Sequence, residues 1–250
     1  MIGYVSFLRK ELREILATWR IFVLPLVLVF CAVASPLLAK ATPYLVGTLT
    51  NLPIALPDPT VLDSYAQWTK NLGQLVILVV IVSYAGVVTA ERSSGTALFA
   101  LSKQLTPAAF VLAKATSAAL LVTVSTAVAT AVTWGTTWLV FGEAPLSELL
   151  SATGAWLVLA LLCVTIVMLL STLLDATSAS AGLGIAAWVV LAALSAWGPA
   201  ARWSPAGLIS LPSSLGAGLD VAWRWPVATS VVAALALVLA TILALRRREL

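Results

Sequence analysis

The chain has 250 residues, of which 61% are apolar and only 10% are charged, and its mean hydropathy is +1.06. A soluble globular domain carries about 25% charged residues, so this chain is predicted to be an all-α, polytopic membrane protein instead. The formal net charge is +4, and Cys31 and Cys163 each lie inside an apolar run, which argues against a disulfide framework. Histidine is absent, so the commonest metal ligand and the usual general base near neutral pH are both missing.

Residues 1–20 are predicted to form an amphipathic helix that lies in the membrane interface without crossing it. Apolar residues recur at steps of three and four, and basic residues occupy much of the remaining surface. The apolar positions are Val5, Leu8, Leu12, Ile15 and Trp19, and the basic positions are Arg9, Lys10, Arg13 and Arg20. The segment does not have the pattern of a cleavable secretory signal.

Residues 21–250 are predicted to form a transmembrane domain of six helices, because six segments reach the roughly 20 apolar residues that a crossing helix needs. The spans are residues 21–39, 72–90, 107–141, 149–174, 180–198 and 226–245. Ser35-Pro36 is expected to break the first span, and four prolines in 40–71 are expected to prevent any long helix there. A short helix over residues 60–70, opened by Asp58-Pro59, is expected in that segment. In 199–225, the apolar run AGLISL is too short to cross and is expected to dip into the outer leaflet.

The placement of lysine and arginine predicts that both termini are cytoplasmic. In this topology ten of the 14 basic residues are on the inner side, namely Arg9, Lys10, Arg13, Arg20, Arg92, Lys103, Lys114, Arg246, Arg247 and Arg248. The outer side has Lys40, Lys70, Arg202 and Arg224. Eight of the ten tryptophans fall near the outer boundary, as in an aromatic belt: Trp68, Trp134, Trp138, Trp156, Trp197, Trp203, Trp223 and Trp225. Alternatively, Trp134, Trp138 and Trp188 line an outward exit path for an amphipathic substrate.

The polar segment that joins the second and third spans reads ERSSGTALFALSKQLTP, residues 91–107. Ser93 or Ser94 is suited to cap a following helix, and Gly95 permits a close turn. Leucines at 98, 101 and 105 then form one apolar face, and Thr106-Pro107 is a typical start for the third span. The segment is predicted to be a short helix that lies flat on the cytoplasmic surface.

These residues resemble the corresponding loop of ABC-2 type transporter permeases. The resemblance rests on Glu91-Arg92-Ser93-Ser94-Gly95-Thr96, on Lys114 in the next span, on Arg9-Lys10-Glu11-Leu12 and on Ser35-Pro36. It extends over the whole chain in length, six-span layout and N-in orientation. The family often has Pro-x-Ser-Arg where this chain has Gln104-Leu105-Thr106-Pro107, so the usual arginine is missing and Lys103 is the candidate for its electrostatic substitute.

The resemblance implies a permease subunit of the bacterial cell membrane, which pairs with a second permease, identical or different, and with two ATP-binding subunits. ATP and magnesium would be bound by those partners, and the chain itself would hold no cofactor and contact membrane lipid but no nucleic acid. Residues 91–106 would form the coupling helix, with Glu91, Arg92, Ser94, Gly95, Thr96, Leu98, Leu101 and Lys103 as its contact residues. Gly182 and Ala186, four residues apart in the fifth span, are expected either at the permease–permease contact or in packing within one chain.

The chain is predicted not to be an enzyme, and neither a catalytic residue nor a metal site is expected. No G-x-x-x-x-G-K-[ST] motif occurs in the sequence. Every acidic residue lies in a loop, a tail or a helix end of the predicted topology, and Lys40 and Lys114 are expected to snorkel from span ends. The predicted function is export of a hydrophobic or amphipathic substrate such as a drug, lipid or peptide. Two rival interpretations are a secondary carrier that works without an ATPase, and a membrane subunit that anchors or regulates an enzyme.

Overall fold

The computed structural model describes residues 2–50, 58–93 and 106–248, and these residues form helices and turns without any β-strand. We number the α-helices in chain order. They are α1 (Ile2–Ala17), α2 (Arg20–Thr50), α3 (Val61–Asn71), α4 (Ile77–Tyr84), α5 (Thr89–Ser93), α6 (Pro107–Phe141), α7 (Leu146–Leu173), α8 (Thr177–Ser195), α9 (Gly198–Trp203), α10 (Leu211–Gly216) and α11 (Arg224–Arg248). A π-helical turn, Leu72–Val76, joins α3 to α4, and a 3-10 helix, Pro205–Ile209, lies between α9 and α10.

Six of these helical stretches are long and apolar enough to cross a membrane, which confirms the predicted all-α membrane fold. They are Ile21–Leu45, Val61–Arg92, Pro107–Phe141, Leu146–Leu173, Thr177–Ser195 and Arg224–Arg247. The third begins as predicted, since the Thr106 hydroxyl accepts a hydrogen bond from the Ala109 amide at 3.2 Å and Pro107 is the first helical residue. The same helix ends at Phe141 and is capped by Gly142, whose φ of 81° suits glycine at a helix C-terminus.

The expected break at Ser35-Pro36 was wrong, because α2 continues through Pro36 and also through Pro43. A proline inside a helix removes one backbone N–H and so leaves the carbonyl four residues earlier without its donor. For Pro36 that carbonyl belongs to Ala32, and the Thr136 hydroxyl of α6 lies 3.2 Å from it and 2.8 Å from the Val132 carbonyl of its own helix. A neighbouring helix therefore places a donor beside the freed carbonyl, which is one way in which membrane proteins tolerate proline within a span.

The helix expected over residues 60–70 exists, but it begins at Val61 and belongs to the second span. The Thr60 amide donates to the Asp63 carboxylate at 2.7 Å, so Thr60, and not Asp58-Pro59, opens it. From Val61 the chain remains helical through the π-helical turn into α4. The Trp156 indole donates to the Leu72 carbonyl in that turn at 3.0 Å.

Contacts between the ends of the spans lie at the two opposite ends of the helical bundle. At the end of the bundle that carries α1, which we call the α1 end, α5 contacts the last turn of α7, and the Thr89 hydroxyl donates to the Ser171 carbonyl at 2.7 Å. At the opposite end, the Tyr65 hydroxyl of α3 donates to the Pro145 carbonyl at 2.9 Å. The 3-10 helix also packs against α7 there, and α10 packs against both α3 and α7.

Most of the apolar run AGLISL is buried within this packing, since Ala206 and Leu208 are fully inaccessible and only Ser210 is exposed. A Cβ on Gly207 would overlap the Ala201 carbonyl oxygen, so the close approach of these two backbone segments requires glycine. The run therefore belongs to the protein core at the opposite end of the bundle.

Two tryptophans assigned to the aromatic belt belong to the core instead. Trp68 and Trp156 are completely buried, and the Trp68 indole donates to the Thr153 hydroxyl at 3.1 Å. The remaining predicted belt residues are exposed, as expected for side chains at a membrane boundary, and they are Trp134, Trp138, Trp197, Trp203, Trp223 and Trp225.

Candidate functional site

Helix α1 packs against the first half of α6 through a face that combines aromatic, polar and acidic side chains. The Phe7 and Phe110 rings lie 5.2 Å apart, and the Tyr4 hydroxyl donates to the Thr116 hydroxyl at 3.1 Å. Of the predicted apolar face, Ile15 is buried, whereas Val5 and Trp19 are exposed. The centre of the packed face is Glu11, whose side chain is only 6% exposed.

Five charged side chains from α1, α5 and α6 form what we call the ionic cluster: Lys10, Glu11, Glu14, Glu91 and Lys114. The Lys114 ammonium lies 3.1 Å from a carboxylate oxygen of Glu11 and 3.1 Å from one of Glu91. The Lys10 ammonium lies 2.6 Å from Glu91 and 2.6 Å from Glu14. The cluster thus ties the N-terminal helix to both spans that flank residues 94–105.

Burial makes these ion pairs different from ordinary surface pairs. The side chains of Lys114, Glu11 and Glu91 are 2%, 6% and 11% exposed, so their charges are largely removed from water. Such charges are tolerated only when each is paired, and removing one partner leaves the others with an uncompensated desolvation penalty. The Lys114 ammonium also lies 5.1 Å from the centroid of Phe110 and 5.9 Å from that of Phe7, within cation–π distance. The expectation that Lys114 snorkels was wrong, since its ammonium is held inside by two carboxylates.

Lys10 closes the cluster on its solvent side, with 46% of its side chain exposed. Burial lowers the pKa of Lys10, but hydrogen bonds to Glu14 and Glu91 and the nearby charges of Glu11 and Glu91 outweigh it and raise that pKa above 10.5. Carboxylate oxygens of Glu11, Glu14 and Glu91 lie within 4.8 Å of one another, a spacing that suits a cation. Two lysine ammonium groups already lie at 2.6–3.2 Å from those oxygens, so the lysines supply the positive charge.

A second set of contacts fixes α5 to the end of α7. The Arg92 guanidinium donates to the Asp175 carboxylate at 2.8 Å and to the Thr172 carbonyl at 3.1 Å. The amides of Val88 and Thr89 both donate to the Ser171 hydroxyl at 3.0 Å. The chain turns at residues 85–88, and Ser171 satisfies backbone amides at this irregular point.

The structure describes two of the predicted coupling residues. Glu91 faces α1 and α6, and Arg92 faces α7, so both make contacts within the chain. The remaining members of that set, Ser94, Gly95, Thr96, Leu98, Leu101 and Lys103, lie outside the described residues, and so does the predicted helix that they would form.

The other predicted site residues do not converge on one place. Gly182 and Ala186 are exposed on α8, whereas the neighbouring Gly184 is buried against Val167 and Ile81. Trp134 lines a cavity of about 400 Å³ between α6 and α7, and Trp188 lines a separate cavity of about 540 Å³ on the other side of α7. Trp134 and Trp188 therefore line different cavities, and the exit path predicted for them and Trp138 stays a prediction.

Sequence reasoning missed Glu11 and Lys114 as partners. The available signal was the position of Glu11 between Leu8, Leu12 and Ile15 on one helical face, together with a single lysine in the otherwise uncharged first half of α6. A buried charge of each sign in two helices is a sign of pairing.

The fold and these contacts define a six-span, all-α membrane protein whose N-terminal helix is fixed to the bundle by buried ion pairs. The chain belongs to the family described as "Protein of unknown function (DUF2705)", whose model matches residues 29–250. The matched region contains Glu91 and Lys114 and begins after α1. No curated protein matches the chain.

Proposed function

We propose that this protein is the membrane-spanning subunit of an ABC-2 type transporter in a bacterial cell membrane, powered by separate ATP-binding subunits. The observation that carries the proposal is the ionic cluster. Glu91 precedes residues 94–105 and Lys114 follows them, and their side chains lie 3.1 Å apart with Glu11 of α1 against the same ammonium. A force on residues 94–105 would therefore reach the second span, the third span and α1 together.

The same segment is linked to the rest of the bundle through Arg92. Its ion pair with Asp175 and its bond to the Thr172 carbonyl connect α5 to the turn between α7 and α8. In the proposed mechanism, ATP binding with magnesium closes the partner subunits and moves residues 94–105. The α1 end then moves as one body, and the spans rearrange to pass a hydrophobic or amphipathic substrate outward. The excess of basic residues at the α1 end favours a cytoplasmic location for it.

In this mechanism Glu91 and Arg92 transmit movement within the chain. Direct contact with an ATP-binding subunit is assigned mainly to residues 94–105. The second permease is proposed to lie against α8, where Gly182, Leu183 and Ala186 form an exposed strip of small and apolar side chains.

A secondary carrier is the second candidate, and one observation favours it. Buried ionisable residues within membrane spans are typical of ion-coupled carriers, and Glu91 and Lys114 have this character. A carrier would transport substrate as a purified chain driven by an ion gradient, whereas the proposed permease would need its ATPase.

The deciding experiment is gentle isolation of the full chain from its native membrane, followed by identification of the proteins that accompany it. We expect a stoichiometric ATP-binding subunit whose substrate-stimulated hydrolysis is lost in Lys114→Met. The matched control is Lys40→Met, because Lys40 is also a lysine near a span end but donates to the Val140 carbonyl at the opposite end of the bundle. A chain that is isolated without any ATPase, and transports in proteoliposomes under an ion gradient alone, would refute the permease proposal.

A further inference from the structure

A cavity of about 540 Å³ lies between the second span, α7, α8 and the segment of the 3-10 helix and α10. Its volume is within the range of roughly 300–1,000 Å³ that is usual for small-molecule sites. Side chains that line it include Lys70, Gln74, Trp156, Leu159, Trp188 and Ile209. We call it the Trp188 cavity.

The indole N–H of Trp188 is the first indication that the cavity receives a ligand. This nitrogen is buried and has no hydrogen-bond partner among the described residues. The two fully buried indoles nearby are both satisfied, because Trp68 donates to Thr153 and Trp156 donates to Leu72. Buried N–H groups are nearly always paired in folded proteins, so this unpaired donor, on a ring that lines the cavity, would gain a partner if the ring turned its nitrogen toward an acceptor from outside the chain.

Lys70 is the second indication. Lys70 is exposed, and it lines both this cavity and a neighbouring one that Asp63 also lines. Its ammonium forms no ion pair within the part of the chain that the structure describes, and no acidic residue is among the described residues that line the Trp188 cavity itself. The cavity therefore combines a positive charge and a neutral donor with the apolar surfaces of Trp156, Leu159 and Ile209. The cavity between α6 and α7 also has a residue with an unpaired buried polar atom in its wall, the Thr126 hydroxyl, but it differs in that no charged side chain lines it.

The backbone of the second span is shaped around the cavity. The π-helical turn Leu72–Val76 contributes Gly73 and Gln74 to the wall, and such turns occur frequently at functional sites. A Cβ built on Gly73 meets no atom within 4 Å, so the glycine leaves that part of the wall open.

The geometry points to the Trp188 cavity as a binding site for an amphipathic anion, a molecule with one carboxylate or phosphate group and an apolar body. Lys70 binds the anionic group, and the apolar body lies against Leu159 and Ile209. The Trp188 ring turns on binding, so that its indole N–H donates to one of the oxygens of the anionic group or to an ester oxygen. Neither a cation nor an uncharged hydrocarbon would use the ammonium and the unpaired indole together. That this anion is also the transported substrate depends on the proposed function, but its binding does not.

The test is competition for a photoreactive fatty acid bound to the full chain in nanodiscs of zwitterionic phosphatidylcholine. Dodecanoate and dodecyl phosphate are expected to displace the probe, and dodecanol is not. Lys70→Met should weaken dodecanoate binding by about tenfold or more, the range for a hydrogen bond to a charged group. Trp188→Phe should weaken it by about two- to tenfold. Gly73→Leu should abolish labelling by filling the cavity.

Two matched variants and a folding check accompany these measurements. Lys40→Met removes a lysine at the same end of the bundle, and Thr126→Val changes the uncharged cavity, so neither should alter binding. Each variant is first shown to be monodisperse with an unchanged thermal transition. Mass spectrometry of co-isolated lipid separates the two sources of the anion: a retained acidic phospholipid identifies a membrane lipid as the occupant, and its absence with intact dodecanoate binding identifies a free amphiphile.

Equal displacement by dodecanol and dodecanoate would overturn the proposal, and so would unchanged binding in both Lys70→Met and Gly73→Leu. Because the assay needs no ATPase, it fails independently of the proposed function. Intact binding by a chain isolated without an ATPase would refute only the transporter assignment. Absent binding in a chain that does carry an ATPase would refute only the anion site.

Discussion

Replacement of Lys114 by methionine tests whether the ionic cluster holds α1 on the bundle. Lys114 is 2% exposed and neutralises Glu11 and Glu91, each through an oxygen 3.1 Å away. Methionine has similar length and apolar character, so the change removes the charge while keeping most of the packing. Breaking a buried pair by removing one partner costs about 3–5 kcal/mol. Lys10 still contacts both carboxylates in this variant, so the expected decrease in the free energy of unfolding is about 3 kcal/mol.

The measurement is the free energy of unfolding of the purified full chain in bicelles, with proteolysis of α1 as a local readout. Lys114→Met should be less stable than Lys40→Met and should expose α1 to protease well below the global transition. Glu91→Gln combined with Lys114→Met should be less destabilising than the sum of the single changes, because neighbours in one network couple by about 0.5–3 kcal/mol. A Lys114→Met protein within about 0.5 kcal/mol of Lys40→Met, with α1 still protected, would refute this account of the cluster.

Three further predictions concern hydrogen bonding, packing and pH. Trp156→Phe should be less stable than Trp188→Phe by about 0.5–1.5 kcal/mol in denaturant titrations, because only the former removes a hydrogen bond made in the protein, that of the Trp156 indole to the Leu72 carbonyl. Gly207→Ala should destabilise the protein by about 1–3 kcal/mol, because its Cβ would overlap the Ala201 carbonyl oxygen. Gly182→Ala has open space around it and should stabilise the protein by about 0.5–1 kcal/mol. Equal shifts of the thermal unfolding temperature in the two variants would contradict this prediction. Because the pKa of Lys10 is raised above 10.5, its stabilisation is fully present below that value and is lost as the pH rises beyond it. The contribution of Lys10 to the thermal unfolding temperature should therefore be constant from neutral pH to about 10.5 and should decrease at higher pH. Lys10→Arg should extend the pH range over which the unfolding temperature is constant.

The number and order of the spans were predictable because apolar length alone decides whether a helix crosses a membrane. The start of α6 was equally predictable from the sequence, because Thr106 caps the helix with its side chain and Pro107 has a fixed φ that suits the first helical position. Both features depend on residues that are close together in the sequence.

The misjudged features depend on contacts between distant residues. The carbonyl that Pro36 frees lies beside the Thr136 hydroxyl, which is far along the chain and on another helix. Trp68 and Trp156 have the same sequence context as belt tryptophans, but their partners Thr153 and Leu72 place them in the core. Hydropathy has no term for a specific hydrogen bond between helices, so none of these outcomes follows from composition.

The ionic cluster shows how such a distant contact changes the interpretation of a local motif. Glu91 and Arg92 have the sequence character of exposed loop residues, yet Glu91 is buried between α1 and α6 and Arg92 is bonded to α7. Charged side chains that form ion pairs within the chain are poorly placed to bind a partner protein. They are well placed to make α1, α5 and the first half of α6 move together. If a partner pushes on residues 94–105, the specificity of that contact lies within the segment, and the flanking charges determine how rigidly the push reaches the spans.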